Sequence, residues 1–501
     1  MAYLTLSSEN TALAANAPQL LLLDPNFALP LELFLIFLGY LDSMTLFAAS
    51  AVSRRWRRQC LSPQLWKALY LRQGWKIRDV TVSNLPYDGL QSTQSSPLSR
   101  KRPSESEEIP WMFLVQQRTK LEENWATGSF SAFRLPQPKH PAEGHTGPVY
   151  AIRQYGKYLV SGGFDGTIRR WDLNSKRLIG KALEGHRVPV YSLHFEAEDD
   201  RIISGSSNGD IFVWKFSTGE LLQSMSRAHD NAVASLHSHN RVLVTGGMDG
   251  SIKLWIPDSS KNDLSGPLDP RRHDPLILAV TLDGHRHGVT AVTIHEGKII
   301  SYAEDLLVKV WSLDTGVCLR TFHDPHIVAS VHFDGRIISG GAPRSIQMID
   351  YRSGETIANL SGTHDRLRTA QAKFENKRCT RLISGSLEGV VTLWREGPKK
   401  TWFPGQQLRA CGCRHTLEAS HHKSASAQQT LASSASSNLD AHAAGRPAVA
   451  SLQDPRIRTT WIMQIQSDER KVICCSARST IVGWDFGNSD KKIEVASQYF
   501  A

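Results

Sequence analysis

The chain has 501 residues, 41% of them apolar, enough to bury a large core beside a small second domain. Its formal charge of +10 favours an acidic partner (phosphorylated protein, acidic peptide or nucleic acid), although polar linkers and loops supply part of the excess. Seven cysteines without regular spacing argue against a disulfide scaffold and for a reduced compartment.

Leu20–Leu23 is too short to cross a membrane, and Phe27–Leu41 is interrupted by Pro30 and Glu32. The expected setting is therefore cytoplasm or nucleus, with no membrane partner. No Ser-His-Asp or Cys-His arrangement and no phosphate loop stands out, so neither catalysis nor a cofactor is expected.

After a tail over 1–23, residues 24–78 read as helices. Pro30 suits the first turn of a helix and Gly39 its end. Asp42 or Ser43 can cap the next helix, and Ser62-Pro63 the last. Leu29-Pro30-x-Glu32-Leu33, then Leu41-Asp42, Val52-Ser53-Arg54-x-Trp56 and Leu65-Trp66, resembles the F-box pattern. The plain alternative is a three-helix cap whose apolar residues only form its core. The resemblance implies docking on the Skp adaptor of a cullin-RING ubiquitin ligase. Leu29, Pro30, Leu33 and Ile36 would be the exposed apolar edge, Leu41 would belong to the same surface, and Trp56 and Trp66 would fix the packing beneath. So small a domain is expected to rely on a partner.

Residues 79–110 read as a disordered linker, Ser- and Pro-rich over Thr81–Glu108. Its basic run Arg100-Lys101-Arg102 is either a solvated stretch or a nuclear import signal. Residues 111–128 read as an amphipathic helix with apolar points at Phe113, Val115, Leu121 and Trp125. Its end, Leu121-Glu122-Glu123-Asn124-Trp125-x-x-Gly128, resembles the connector of F-box/WD substrate receptors, which would hold the two domains at a fixed distance.

From 129 onward a phrase recurs. Its cleanest copy is Gly144-His145, Ser161-Gly162-Gly163-Phe164-Asp165-Gly166 and Trp171-Asp172. Trp171, Trp214, Trp255, Trp311 and Trp394 close copies, Ile349 takes the slot in another, and a seventh copy ends at Trp484-Asp485. A period of about 40–45 residues with a Gly-His start and a Trp end marks one propeller blade per copy. In three copies a His precedes an Asp by 20 residues, and a Trp follows that Asp by six: His145/Asp165/Trp171, His229/Asp249/Trp255 and His285/Asp305/Trp311. That spacing lets the ring bridge Asp to Ser161, Thr245 or Ser301 and onward to the indole N–H, so these histidines read as struts.

The repeat resembles the WD family. The fold expected is mainly β: a seven-bladed WD-repeat β-propeller over 129–501, preceded by a small all-α F-box domain and a linker helix. Either Ser129–Pro136 or the tail Lys491–Phe500 would supply the strand that closes the last blade. The stretch 397–452 reads as a disordered insertion. Its Cys411-x-Cys413, with no matching second pair, is weak evidence for metal.

On the face of the struts, Tyr150, Phe164, Tyr191, Ser207, Ala234, Met248, Thr290, Glu304, Val328 and Leu387 are placed around the central opening. Arg187, Arg286, His287, Arg366, Arg368, Arg456 and Arg458 are placed further out. An apolar, aromatic centre with a basic rim suits an anchor side chain flanked by acidic or phosphorylated residues; a merely solvated rim is the alternative. Phosphodegron-reading F-box propellers carry arginines where this chain has Tyr150, Tyr191, Phe164 and Met248.

The reading reached is the substrate-recognition subunit of a Skp–cullin–F-box ubiquitin ligase, itself non-catalytic. Its rivals are a ligase-independent Skp-binding WD scaffold and a basic propeller bound to nucleic acid or chromatin.

Overall fold

A computed structural model describes residues 31–77, 109–258, 274–323, 327–333, 336–342, 345–350, 355–360, 367–375, 378–396, 402–410 and 461–500. Leu29, Pro30, Arg366, Arg456, Arg458 and the segments 79–108 and 411–460 lie outside these residues. The chain divides into two compact units. Among the described residues, the first takes in 31–77, 109–120 and 499–500, and the second takes in those from 121 to 498. Among the described residues no helix is long and apolar enough to cross a membrane.

Four short helices build the first unit: α1 (Leu31–Gly39), α2 (Ser43–Ser50), α3 (Arg54–Cys60) and α4 (Pro63–Arg72). Local chemistry sets their ends. Asp42 caps α2 by accepting from the Thr45 amide and hydroxyl, each at 2.7 Å, and Ser53 caps α3 through the Trp56 amide at 3.2 Å. Ser62 caps nothing with its side chain. Its hydroxyl donates to Gln64 Oε1 at 2.7 Å, and α4 opens instead on Pro63, which has no N–H to satisfy. Arg72 donates to the carbonyls of Gly39 and Leu41, groups left without a partner where α1 ends.

Aromatic side chains form the core of this unit. Trp56 meets Phe34 edge-on at 4.9 Å. Trp66 is buried, tilts against Phe47 at 5.1 Å, and donates its indole N–H to the Cys60 carbonyl at 2.7 Å. Arg118 is buried over the rings of Trp75 and Phe500. Helix α5 runs from Trp111 to Thr127, and from Leu121 onward it belongs to the second unit.

In the second unit, among the described residues, the strands form seven four-stranded antiparallel sheets. The inner strand of each touches the inner strand of the next, and the last touches the first, so the sheets close a ring. The closing strand is Ser131–Leu135, which pairs with Ile481–Asp485 in register Ser131↔Asp485 to Leu135↔Ile481. The rival segment is not a strand: Lys491–Ser497 is a helix, capped by Asp490 accepting from the Lys492 amide at 2.8 Å.

The last turns of α5 are bound to the same sheet. Trp125 stacks on Phe486 at 3.6 Å and donates its N–H to the Glu469 carbonyl at 3.0 Å. Arg381 lies over the other part of this cluster, 4.4 Å from the Trp125 ring centre, while its guanidinium reaches Glu122 at 2.6 Å. Trp125→Ala removes the stack and the hydrogen bond together. Because Trp125 is only half-buried, the loss expected is about 2–4 kcal/mol, just below the range for core aromatics, read as a drop in the urea midpoint.

Candidate protein-interaction surfaces

The blades are braced as the spacing of His, Asp and Trp demands. In the first, His145 Nδ1 lies 3.0 Å from Asp165 and Nε2 lies 2.8 Å from Ser161 Oγ, which accepts the Trp171 N–H at 2.9 Å. His229, Thr245, Asp249 and Trp255 repeat the chain, as do His285, Ser301, Asp305 and Trp311. These histidines are buried between partners and offer no ligand position. In the second blade Asn208 replaces the aspartate and turns to Ser206 and Asp210, leaving His186 Nδ1 buried without a partner. In the last blade Cys474 holds the serine position, and the Trp484 N–H is likewise unpaired. Ile349 pairs with Ile337 as Trp171 pairs with Leu159, confirming its slot in the register.

Burial without a full set of partners ties stability to pH. It pulls His186 down to about 4 and His194 down to about 3, against about 6.5 in an unfolded chain. The unfolded chain therefore takes up these protons first. Stability present above pH ~6.5 is lost as pH falls, by up to ~1.4 kcal/mol per unit for each ring. The hydrogen bonds and the charge of His145 hold Asp165 far below the usual carboxylate range despite its burial, which extends the loss to lower pH. The urea midpoint should fall steadily from about pH 7 to about pH 4.5, and less steeply in His194→Gln.

The first exposed surface lies on α1. Leu33, Ile36, Phe37 and Tyr40 recur at helical spacing and are 51%, 58%, 46% and 79% exposed, while Phe34 and Leu38 on the opposite side are fully buried. Met44 and Val52 are also exposed. Single exposed apolar residues are ordinary, but a helix face made of them marks an interaction site. Leu41 and Trp56 are half-buried and Trp66 is buried, so the tryptophans support the surface from within. Phe37 and Tyr40 join this face through the i, i+4, i+7 spacing from Leu33, a signal present in the sequence, whereas Met44 lies on α2 and has no such signal.

The second surface follows from a shared irregularity. Each of the seven inner strands carries a β-bulge near its start, directly after the first pair in six of them and after the second pair in the fifth, and a bulge re-aims the side chain it carries. The bulged residues are Tyr150, Tyr191, Ala234, Thr290, Ala329, Arg368 and Met463. Tyr150 and Tyr191, in neighbouring blades, meet edge to face at 5.1 Å. Phe164 is 55% exposed, and its amide donates to the Pro148 carbonyl at 2.8 Å; Ser207, Met248 and Glu304 hold the matching position in the next three blades. Leu387 lies in the matching turn of the sixth blade.

Two placements change. Arg368 belongs to the inner ring of bulges and not to the rim, and in the fifth blade that position falls on Ala329 and not on Val328. The sixth and fifth copies lack a regular Gly-His start, so counting from it misplaces them by a residue or more. Arg187, Arg286 and His287 are exposed in the loops that lead into the inner strands.

Residues 27–72 match the F-box-like family, and residues 136–172, 177–215 and 219–255 match the WD domain, G-beta repeat. The chain thus carries an F-box-like domain followed by WD repeats. A protein named Cell division control protein 4, from Candida albicans, is 37% identical over 102 residues, 20% of this chain and 15% of that protein. Protein ROOT INITIATION DEFECTIVE 3 of Arabidopsis thaliana is 28% identical over 237 residues, covering 45% of this chain and 52% of the relative. The F-box/WD-repeat chain thus spans about half, or less, of these relatives. Among solved structures, the WD40 β-propeller domain of Doa1 aligns with 70% of the chain and 96% of its own, at 15% identity and a TM-score of 0.49.

Proposed function

We propose that this F-box/WD-repeat chain is the substrate-recognition subunit of a Skp–cullin–F-box ubiquitin ligase. The observation that carries the reading is the exposed apolar face of α1, in a domain matched to the F-box-like family and followed in the same chain by WD repeats. Leu33, Ile36 and their neighbours dock on the Skp adaptor, with Leu29 and Pro30 continuing that edge. The propeller holds a target protein at the inner ring, where Tyr150, Tyr191 and Phe164 receive an anchor side chain. The exposed Arg187 and Arg286 favour an acidic flank, and Arg366 and Arg458 are proposed for the same rim.

The chain performs no chemistry itself. Its contribution is to raise the concentration of a target lysine near a bound ubiquitin-conjugating enzyme. The working compartment proposed is cytoplasm or nucleus. A nucleic-acid reader would need its stacking aromatics along a basic groove. The edge-to-face packing of Tyr150 and Tyr191 at the bulges supports a protein target instead.

The test is purification of the tagged chain from cells with and without inhibitors of the proteasome and of cullin activation. Adaptor and cullin should co-purify, and other proteins should accumulate on the propeller when degradation is blocked. Adaptor without cullin or accumulating proteins would favour a ligase-independent scaffold. Absence of the adaptor would remove the F-box reading.

A further inference from the structure

Below the bulges, the inner strands carry a row of polar side chains that meet from blade to blade. Arg153, His194 and His237 occupy one level of three successive blades, paired with Val160, Ile203 and Val244 at equivalent register positions. Each sits half-buried in a strand whose neighbouring apolar residues are buried in the blades.

The hydrogen bonds of this row run sideways. Arg153 Nε donates to the Leu193 carbonyl of the next inner strand at 2.9 Å. His237 Nδ1 accepts from the Ile294 amide at 3.3 Å, which places its ring proton on Nε2. The rings of His194 and His237 lie 5.0 Å apart, at 71°. His194 Nδ1 is buried and has no partner.

Among the described residues no acidic group offsets Arg153 or His194. Among the described residues Arg153 makes no ion pair. The acids of the neighbouring loops are committed elsewhere: Glu196 is held by Arg201 at 2.6 Å and Asp468 by Gln154 at 2.5 Å. The Arg153 guanidinium is half-buried, and its terminal nitrogens donate to no group of the described residues, which leaves them open to an acceptor from outside. Desolvation with no offsetting carboxylate lowers the Arg153 pKa to about 10, and the guanidinium is still charged at neutral pH.

We propose that this arc of Arg153, His194 and His237 is a binding site for a single carboxylate, offered by an acidic side chain of a bound peptide or by a free carboxylic acid. The charge count selects the ligand. One guanidinium beside two neutral imidazoles matches one negative charge, whereas a phosphate monoester near neutral pH carries almost two. Shape agrees, because the planar fork of Arg153 Nη1 and Nη2 fits the two oxygens of a carboxylate. The site belongs to the propeller alone, so it stands or falls separately from adaptor docking.

Calorimetric titration of the full chain with sodium acetate, and with sodium chloride or inorganic phosphate at matched ionic strength, tests it. Saturable acetate binding is expected, at least about tenfold weaker in Arg153→Gln and also weakened in His194→Phe, which keeps the ring and removes its nitrogens. If Arg153→Gln does not fold, Arg153→Lys takes its place: it retains the charge, loses the fork, and should still bind acetate more weakly. Acetate behaving as chloride does, phosphate binding more tightly than acetate, or variants binding acetate like the parent would each overturn the proposal. Selection of random displayed peptides on the full chain then separates the two sources. Enrichment of Asp or Glu at one position, lost in the Arg153 variant, identifies a side chain; acetate binding without such enrichment identifies a free carboxylic acid.

Discussion

Replacing Leu33 and Ile36 by aspartate is expected to abolish capture of the Skp adaptor while leaving thermal unfolding of the chain unchanged. Both side chains are more than half exposed on α1, so the folded domain gives up little apolar burial when they change. At an interface the same two positions would be desolvated apolar anchors. Anchors of that kind are worth ~2 kcal/mol or more each, and a buried unpaired carboxylate adds a further penalty. The pair should therefore cost at least about three orders of magnitude in affinity. Phe34→Ala is the contrasting change: Phe34 is fully buried against Trp56, so its loss should unfold the helical unit first. Surface plasmon resonance on the purified adaptor, with circular dichroism melting beside it, separates the two effects. Unchanged adaptor affinity in the aspartate pair would take α1 out of the interface.

The second large effect concerns closure of the ring. Phe133, in the strand Ser131–Leu135, is 7% exposed and packs with Leu135, Trp171, Ile473 and Ile481. Its ring lies against Gly483, its cross-strand partner, in space that any larger residue there would claim. Phe133→Ala should cost about 3–5 kcal/mol. It also weakens the one strand that covers the edge of Ile481–Asp485, which would otherwise be open to pairing with another chain. The expected observation is a lower urea midpoint together with concentration-dependent aggregation on warming. Phe164→Ala should move stability by only ~0.5 kcal/mol or less, because Phe164 is largely exposed, and should instead weaken target binding. Equal stability losses in the two variants would place Phe164 in the core.

Much of the blade interior is legible because it is a local code repeated at a fixed interval. His145, Asp165, Ser161 and Trp171 are close in sequence and bonded in space, so spacing alone identifies the strut. The same code fails where a member is replaced. Nothing near Asn208 in the sequence says that it turns to Ser206 and Asp210 and leaves His186 Nδ1 alone. The inner ring was legible where a regular start fixed the count, as at Tyr150 and Tyr191, and was misplaced at Arg368 and Ala329, where it did not. Residues whose importance lies in missing partners, such as Arg153 and His194, carry no motif at all.

The sequence by itself determined the kind of domains, a cap at Asp42 or Ser43, and the apolar face of α1, because each depends on residues within one or two turns or on a periodic pattern. Tertiary structure decided which end of the chain closes the ring. Both candidate segments had an acceptable pattern, but Asp490 caps a helix at one, while the other brings Phe133 onto Gly483. It also decided which side chains share the level of Arg153 around the axis, since those residues are about 40 apart in sequence and meet only when the sheets close. Local preference is written along the chain; contacts between blades come into being only with the ring.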